Sequence, residues 1–85
     1  MKETNPDKLN IEKRLKDFLT KQTKQKIGRR TDLIEKGIVD SFSMIELINF
    51  VEKSFKVEVK MEEINVENFN SLSNMANRII QWKQK

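Results

Sequence analysis

Asp40 and Ser41 stand side by side at the start of the strongest apolar stripe in this sequence, and they are the pair whose type and position best suit chemistry. Met44, Leu47, Ile48, Val51 and Phe55 follow at i, i+3, i+4, i+7 and i+11, which marks one face of a helix and predicts that helix over about Ser41 to Phe55. At a helix mouth the first backbone N–H groups have no intrahelical partner and the dipole favours negative charge. A phosphate esterified to Ser41 would therefore be well placed. The same two residues have a plainer use, because Asp40 or Ser41 would simply cap the helix. Spacing alone leaves both readings open.

The rest of the sequence narrows the chemistry by what it lacks. It contains no histidine, cysteine or tyrosine. The commonest general base, the commonest metal ligand and the strongest neutral-pH nucleophile are therefore missing, which argues against an enzyme. No disulfide framework or thiolate site can form, and no glycine-rich phosphate loop, catalytic carboxylate pair or metal-ligand cluster stands out. The expected metal set is none.

The elements that would position Asp40 and Ser41 are helical. An 85-residue chain has room for one modest core, and two glycines and one proline interrupt it little. A first helix is expected over Lys8 to Thr23, where Ile11, Leu15, Phe18, Leu19 and Gln22 share a stripe. Lys24 to Asp32 has no usable period and reads as a basic loop. Leu33, Ile34, Ile38 and Val39 are expected to fold back on the core, with a turn at Gly37. Val57 and Val59 alternate with charged residues but have no partner strand, so that stretch reads as an extended connection. Met61 to Ile64 is expected to form a short helical turn. Asn70-Ser71 is a plausible cap for a last helix ending near Trp82, with Leu72, Met75, Ala76, Ile79 and Ile80 inward and Arg78 and Lys83 facing water. Met44, Met61 and Met75 read as core fillers, and Trp82 as packing at the bundle edge.

The resulting expectation is an all-α fold, a small four-helix bundle of three main helices and a short one. Residues 1–7 are expected to be frayed, and 8–85 to form a single domain. No apolar run approaches the ~18 residues needed to span a bilayer, so a soluble cytoplasmic monomer is expected.

Net charge is +4, but its distribution matters more than its sum. Residues 1–36 hold eleven Lys/Arg against six Asp/Glu, residues 37–70 three against seven, and residues 71–85 three against none. The basic first third keeps a small nucleic-acid-binding helical module as a remote alternative. Against it, the most amphipathic helix carries Glu46 and Glu52 with only Lys53, the reverse of what a groove-entering helix needs. The basic loop Lys24 to Arg30 would contact a partner or be a solvated charge run.

The segment Gly37-Ile38-Val39-Asp40-Ser41-Phe42-Ser43-Met44-Ile45-Glu46-Leu47 resembles the modification site of acyl carrier and peptidyl carrier proteins. The likeness extends to the Leu33-Ile34 pair, to Glu52-Lys53-Ser54-Phe55, to Val57-Glu58-Val59 leading into a short third helix, and to Glu67-Asn68-Phe69-Asn70-Ser71 opening a fourth. It covers about residues 9 to 82. It implies a stand-alone carrier whose Ser41 receives 4′-phosphopantetheine from coenzyme A on a separate phosphopantetheinyl transferase, with Asp40 as the motif aspartate. It implies that the arm's thiol holds an acyl group as a thioester; an aminoacyl or peptidyl carrier differs only in cargo.

The resemblance further implies partner enzymes that activate or transfer the acyl or aminoacyl group and read the second helix. Phe42 and Ile45 would give them apolar contacts, and Glu46, Asn49, Glu52 and Lys53 a polar side. Ile45, Glu46, Asn49 and Glu52 do fall outside the apolar stripe. Phe42 could equally fold against Leu33 or Ile38. Exposed Glu46 and Glu52 would steer basic partner surfaces. Phe42 and Ser43 stand where fatty-acid carriers usually have leucine and an acidic residue, which points to a specialised pathway.

Overall fold

A computed structural model describes residues 6–84. Among them the chain forms α1 (Pro6–Thr23), α2 (Ser41–Phe55), a single 3₁₀ turn (Met61–Glu63), α3 (Val66–Phe69) and α4 (Leu72–Lys83), with no strand. The all-α four-helix architecture is as expected. Helix α1 begins at Pro6 rather than Lys8, so residues 6 and 7 of the stretch expected to be frayed are helical. Proline suits a first helical position, where the missing N–H would have no partner anyway. Residues 1–5 of that stretch lie outside the described residues.

The stripes read from the sequence meet in one core. Ile11, Leu15 and Leu19 of α1, Leu47, Val51 and Phe55 of α2, and Leu72, Met75, Ala76, Ile79 and Trp82 of α4 are buried together with Phe69. Gln22, the last member of the α1 stripe, is exposed. Helix α4 packs closely on α1, whereas α2 reaches α1 through long side chains. Arg14 lies over the Phe55 ring at 4.6 Å, the Phe18 and Phe50 rings stack at 4.3 Å, and the Gln22 amide bonds to Glu46. Each step of four residues along α1 is thus answered by about four residues backwards along α2, so the two run antiparallel in a fixed register.

The connection between α1 and α2 is held at several points. Lys24 ends α1 in the left-handed region (φ 59°), its N–H bonded to the Thr20 carbonyl at 2.7 Å. Ile27 is buried, and Arg29 grips the Glu12 carboxylate with two bonds of 2.5 and 3.0 Å. The Ser73 N–H donates to the Arg29 carbonyl and the Leu33 N–H to the Asn70 carbonyl, tying the connection to the start of α4. Asp32 caps the next turn by accepting from the Glu35 N–H at 2.9 Å. The chain reverses at Gly37 (φ 73°), and Ile38 and Val39 both donate to the Leu33 carbonyl. Leu33, Ile38 and Val39 are buried and Ile34 is partly so, as expected.

Several expectations need correcting. The short helix is α3 at Val66–Phe69, inside the segment expected to open the last helix; Met61–Glu63 is one 3₁₀ turn. Asn65 sets this position, because its side chain caps the Asn68 N–H at 2.9 Å. Met61 is 82% exposed and fills no core space, because the single 3₁₀ turn that carries it buries none of its residues. Arg78 does not simply face water: its Nε donates to Asn68 Oδ1 at 2.8 Å, and Asn68 is buried. The Val57–Val59 stretch is extended and unpaired, with Val59 buried. No helix of the described residues is long and apolar enough to cross a membrane.

Candidate functional site

The site is built by the turn that delivers the chain to α2. Asp40 has extended backbone (φ −112°, ψ −169°), and its carboxylate accepts from the Ser43 N–H at 2.9 Å while its carbonyl accepts from the Met44 N–H at 2.8 Å. Asp40 is therefore the N-cap, and Ser41 is the first helical residue rather than the cap. The Ser43 N–H, then the Ser43 hydroxyl, hold the Asp40 carboxyl below its ordinary value of 3.8, and its exposure leaves little opposing desolvation.

This assignment frees the Ser41 hydroxyl. Ser41 is exposed, and no described side chain takes its Oγ as a cap or bond. The Ser41 N–H is one of the helix-terminal donors without an intrahelical acceptor, so an anion on Oγ would sit at the positive end of a 15-residue helix. The residues present thus fit an exposed phosphodiester: a free hydroxyl, a positive helix end, and one neighbouring carboxylate occupied in capping. Among the described residues, no group of His, Cys, Asp and Glu could hold a metal ion.

Around Ser41 the six residues expected to meet partners divide into two kinds. Phe42 is 69% and Ile45 61% exposed, and Asn49 and Lys53 are exposed beside them. Phe42 thus points away from Leu33 and Ile38, against the alternative that it joins the core. Glu46 and Glu52 are only half exposed and already engaged. Glu46 accepts from Gln22 of α1, and Glu52 accepts from the Val59 N–H at 3.0 Å, pinning the α2–α3 connection. The expectation that both are freely exposed is corrected, because each sits at the edge of the outer face of α2, where a neighbouring segment supplies a donor.

Sequence reasoning missed two features. Met61 and Val66, 82% and 57% exposed, add apolar surface on the segment following α2. Both have an apolar neighbour at helical spacing, Met61 with Ile64 and Val66 with Phe69, so periodicity gave no sign of their exposure. The buried Glu12, which holds the connection to α1, left no sequence signal, since its partner Arg29 lies 17 residues away in an aperiodic stretch.

Comparison with known proteins agrees with this geometry. Residues 11–79 match the family described as "Phosphopantetheine attachment site". The chain is 29% identical over 52 residues to a D-alanyl carrier protein of Bacillus velezensis, covering 61% of this chain and 67% of that protein. It is 35% identical over 53 residues to a "Probable acyl carrier protein PigG" of Serratia sp., covering 62% of this chain and 61% of that one. The matched region thus spans two-thirds or less of these relatives' length. A chain in a structure titled "Crystal structure of FAD-dependent dehydrogenase" superposes with a TM-score of 0.68 at 30% identity, covering 79% of this chain and 94% of that one. With the family match spanning the bundle from α1 to α4, the chain belongs to the phosphopantetheine attachment site family: it is a carrier protein bearing covalent 4′-phosphopantetheine, and not an enzyme.

Proposed function

We propose that Ser41 is the attachment point, and that the protein presents an acyl group to the enzymes of a specialised biosynthetic pathway. The observation that carries this reading is the division of labour at the start of α2: Asp40 takes the cap and Ser41 keeps an exposed, unbonded hydroxyl at the positive helix end. In the loading step Ser41 Oγ attacks the phosphorus bearing the pantetheine of coenzyme A. The new Oγ–P bond replaces the bond to adenosine 3′,5′-bisphosphate, and the hydroxyl proton passes to a base on the separate transferase. Once attached, the arm supplies a thiol that holds its cargo as a thioester. Asp40 keeps the helix end formed while this happens, and Phe42, Ile45, Asn49 and Lys53 offer the outer face of α2 to each partner. Glu46 and Glu52 serve that face from its edges. The protein acts as a cytoplasmic monomer.

A second reading concerns cargo. The D-alanyl carrier among the relatives supports an aminoacyl group, and the acyl carrier supports a simple acyl group. The match to a chain in a structure titled for an FAD-dependent dehydrogenase supports a flavin dehydrogenase as one partner class.

Incubating the protein with coenzyme A and a broad-specificity phosphopantetheinyl transferase is expected to add one phosphopantetheine mass, absent in Ser41→Ala. An unmodified wild type, beside a control carrier modified in the same tube, would overturn the assignment. Loading trials with adenylating enzymes and amino acids, against acyl-activating enzymes and fatty or hydroxy acids, separate the two cargo readings.

A further inference from the structure

The turn that follows α2 displays its methionine instead of packing it. Met61 opens the 3₁₀ turn Met61–Glu63 and is 82% exposed. The other two described methionines are held in the bundle: Met75 is 1% exposed, and Met44 is half-buried against the core. Met1 lies outside the described residues. The sequence has no cysteine, and Trp82, its one tryptophan, is buried. Met61 is therefore the described side chain most open to an oxygen-atom donor.

The turn is anchored on both sides by groups other than the Met61 side chain. Before it, Val59 is buried and its N–H donates to Glu52 at 3.0 Å. Within it, the Glu63 N–H donates to the Lys60 carbonyl at 2.8 Å and the Ile64 N–H to the Met61 carbonyl at 3.1 Å. After it, the buried Asn68 donates from Nδ2 to the Glu63 carbonyl at 2.8 Å. Side chains at i and i+3 of a 3₁₀ turn eclipse, so Met61 and Ile64 fall on one side of it. Val66, 57% exposed, adds apolar surface two residues on.

We propose that Met61 is an oxidation site, at which peroxide turns an apolar surface polar while the bundle stays folded. In the step a lone pair of Met61 Sδ attacks one peroxide oxygen. The S–O bond forms, the O–O bond breaks, and the hydroxide that leaves takes the proton of the transferred oxygen, giving water. Sulfur is oxidised by two electrons and the peroxide is reduced by two. The sulfoxide is polar and chiral where the thioether was apolar. At Met75 the same change would put a polar group into the core, which is costly. At Met61 it disturbs no packing, since that side chain fills no core space. Methionine sulfoxide reductases reverse the step with two electrons from a dithiol, the oxygen leaving as water. The site does not depend on Ser41 being the attachment point.

Treating the folded full chain with hydrogen peroxide, and locating the added oxygen by fragment-ion mass spectrometry of its peptides, is the test. Met61 is expected to oxidise roughly tenfold faster than Met75, and faster than Met44. Protein oxidised at Met61 is expected to elute earlier from a hydrophobic-interaction column with its Tm essentially unchanged. Met61→Leu is expected to hold its retention through the same treatment, which separates Met61 from Met1. Met61→Gln, polar from the start, is expected to elute early without peroxide. Reductases for both sulfoxide epimers, supplied with dithiothreitol, are expected to restore the retention of the oxidised wild type. The proposal is overturned if Met44 or Met75 takes up oxygen as fast as Met61, or if oxidation at Met61 lowers Tm by several degrees. It is equally overturned if peroxide shifts Met61→Leu as much as the wild type.

Discussion

At residue scale, Asp40 and Ser41 have separate jobs that substitutions can pull apart. Ser41→Ala is expected to abolish modification while leaving Tm within a degree or two, because alanine is well tolerated at a first helical position. Asp40→Ala removes the bond from the Ser43 N–H and is expected to lower Tm by a few degrees, whereas Asp40→Asn, which can still accept that bond, keeps most of it. The pH dependence follows from the lowered folded-state pKa of Asp40. Its stabilisation is fully present above the unfolded value near 3.8 and is lost as pH falls through the lower folded value. Thermal melts of wild type and Asp40→Ala are therefore expected to differ at neutral pH and to converge at the acid end. Glu12 tests a different point. Arg29→Ala would leave a carboxylate only 4% exposed with Lys8 at 4.0 Å as its remaining cation, and a loss of about 1–3 kcal/mol in urea unfolding is expected.

At the scale of elements, the helices were legible where the apolar period ran long enough to repeat. Leu47, Val51 and Phe55, and Leu72, Met75, Ala76 and Ile79, fell on the buried faces that their spacing assigned. The short elements were not, because four residues cannot carry a period; α3 is placed by the single Asn65 cap, and a 3₁₀ turn takes the place assigned to it. The candidate site was legible as a location through the Asp40-Ser41 pair, but which of the two caps the helix depends on side-chain geometry. The half-burial of Glu46 and Glu52 was invisible for a similar reason, since their partners Gln22 and Val59 come from other segments. Helix ends also carry testable strain. Lys24 and Lys56 end α1 and α2 with positive φ, where a side chain is unfavourable. Lys56→Gly is expected to raise stability by about 0.5–1 kcal/mol, seen as a higher urea midpoint. Gly37→Ala, also at positive φ but with open space around its Cβ, is expected to cost about 1–2 kcal/mol from backbone strain alone.

Across the whole molecule, stability and recognition draw on different parts. Phe69 is fully buried, 6.3 Å from Trp82 ring to ring, and locks α3 against α4. Phe69→Ala is expected to remove about 3–5 kcal/mol, a large share of a small domain's stability, and calorimetry would show a population of unfolded protein near 37 °C. Recognition is divided by charge: the α2-to-α3 half is acidic and the α1-and-connection half is basic. With Glu46 and Glu52 already engaged, steering by the α2 face rests less on charge than on Phe42 and Ile45. Modification rates are therefore expected to fall more in Ile45→Asp than in Glu46→Gln.

The connection between α1 and α2 has a consequence for how the chain survives damage. Lys24, Lys26, Arg29 and Arg30 place four trypsin sites within seven residues of it. Yet the residues on either side are stitched separately into the body: Ile27 and Arg29 to α1, the Arg29 carbonyl to Ser73, and Leu33 to Asn70. A cut after Lys26 would leave α1 gripping α4 and the remaining fragment through the same core, so the nicked protein would stay assembled as a two-piece complex. The stretch that looks most like a loose tether therefore behaves as a clasp whose loss of covalent continuity need not open the bundle.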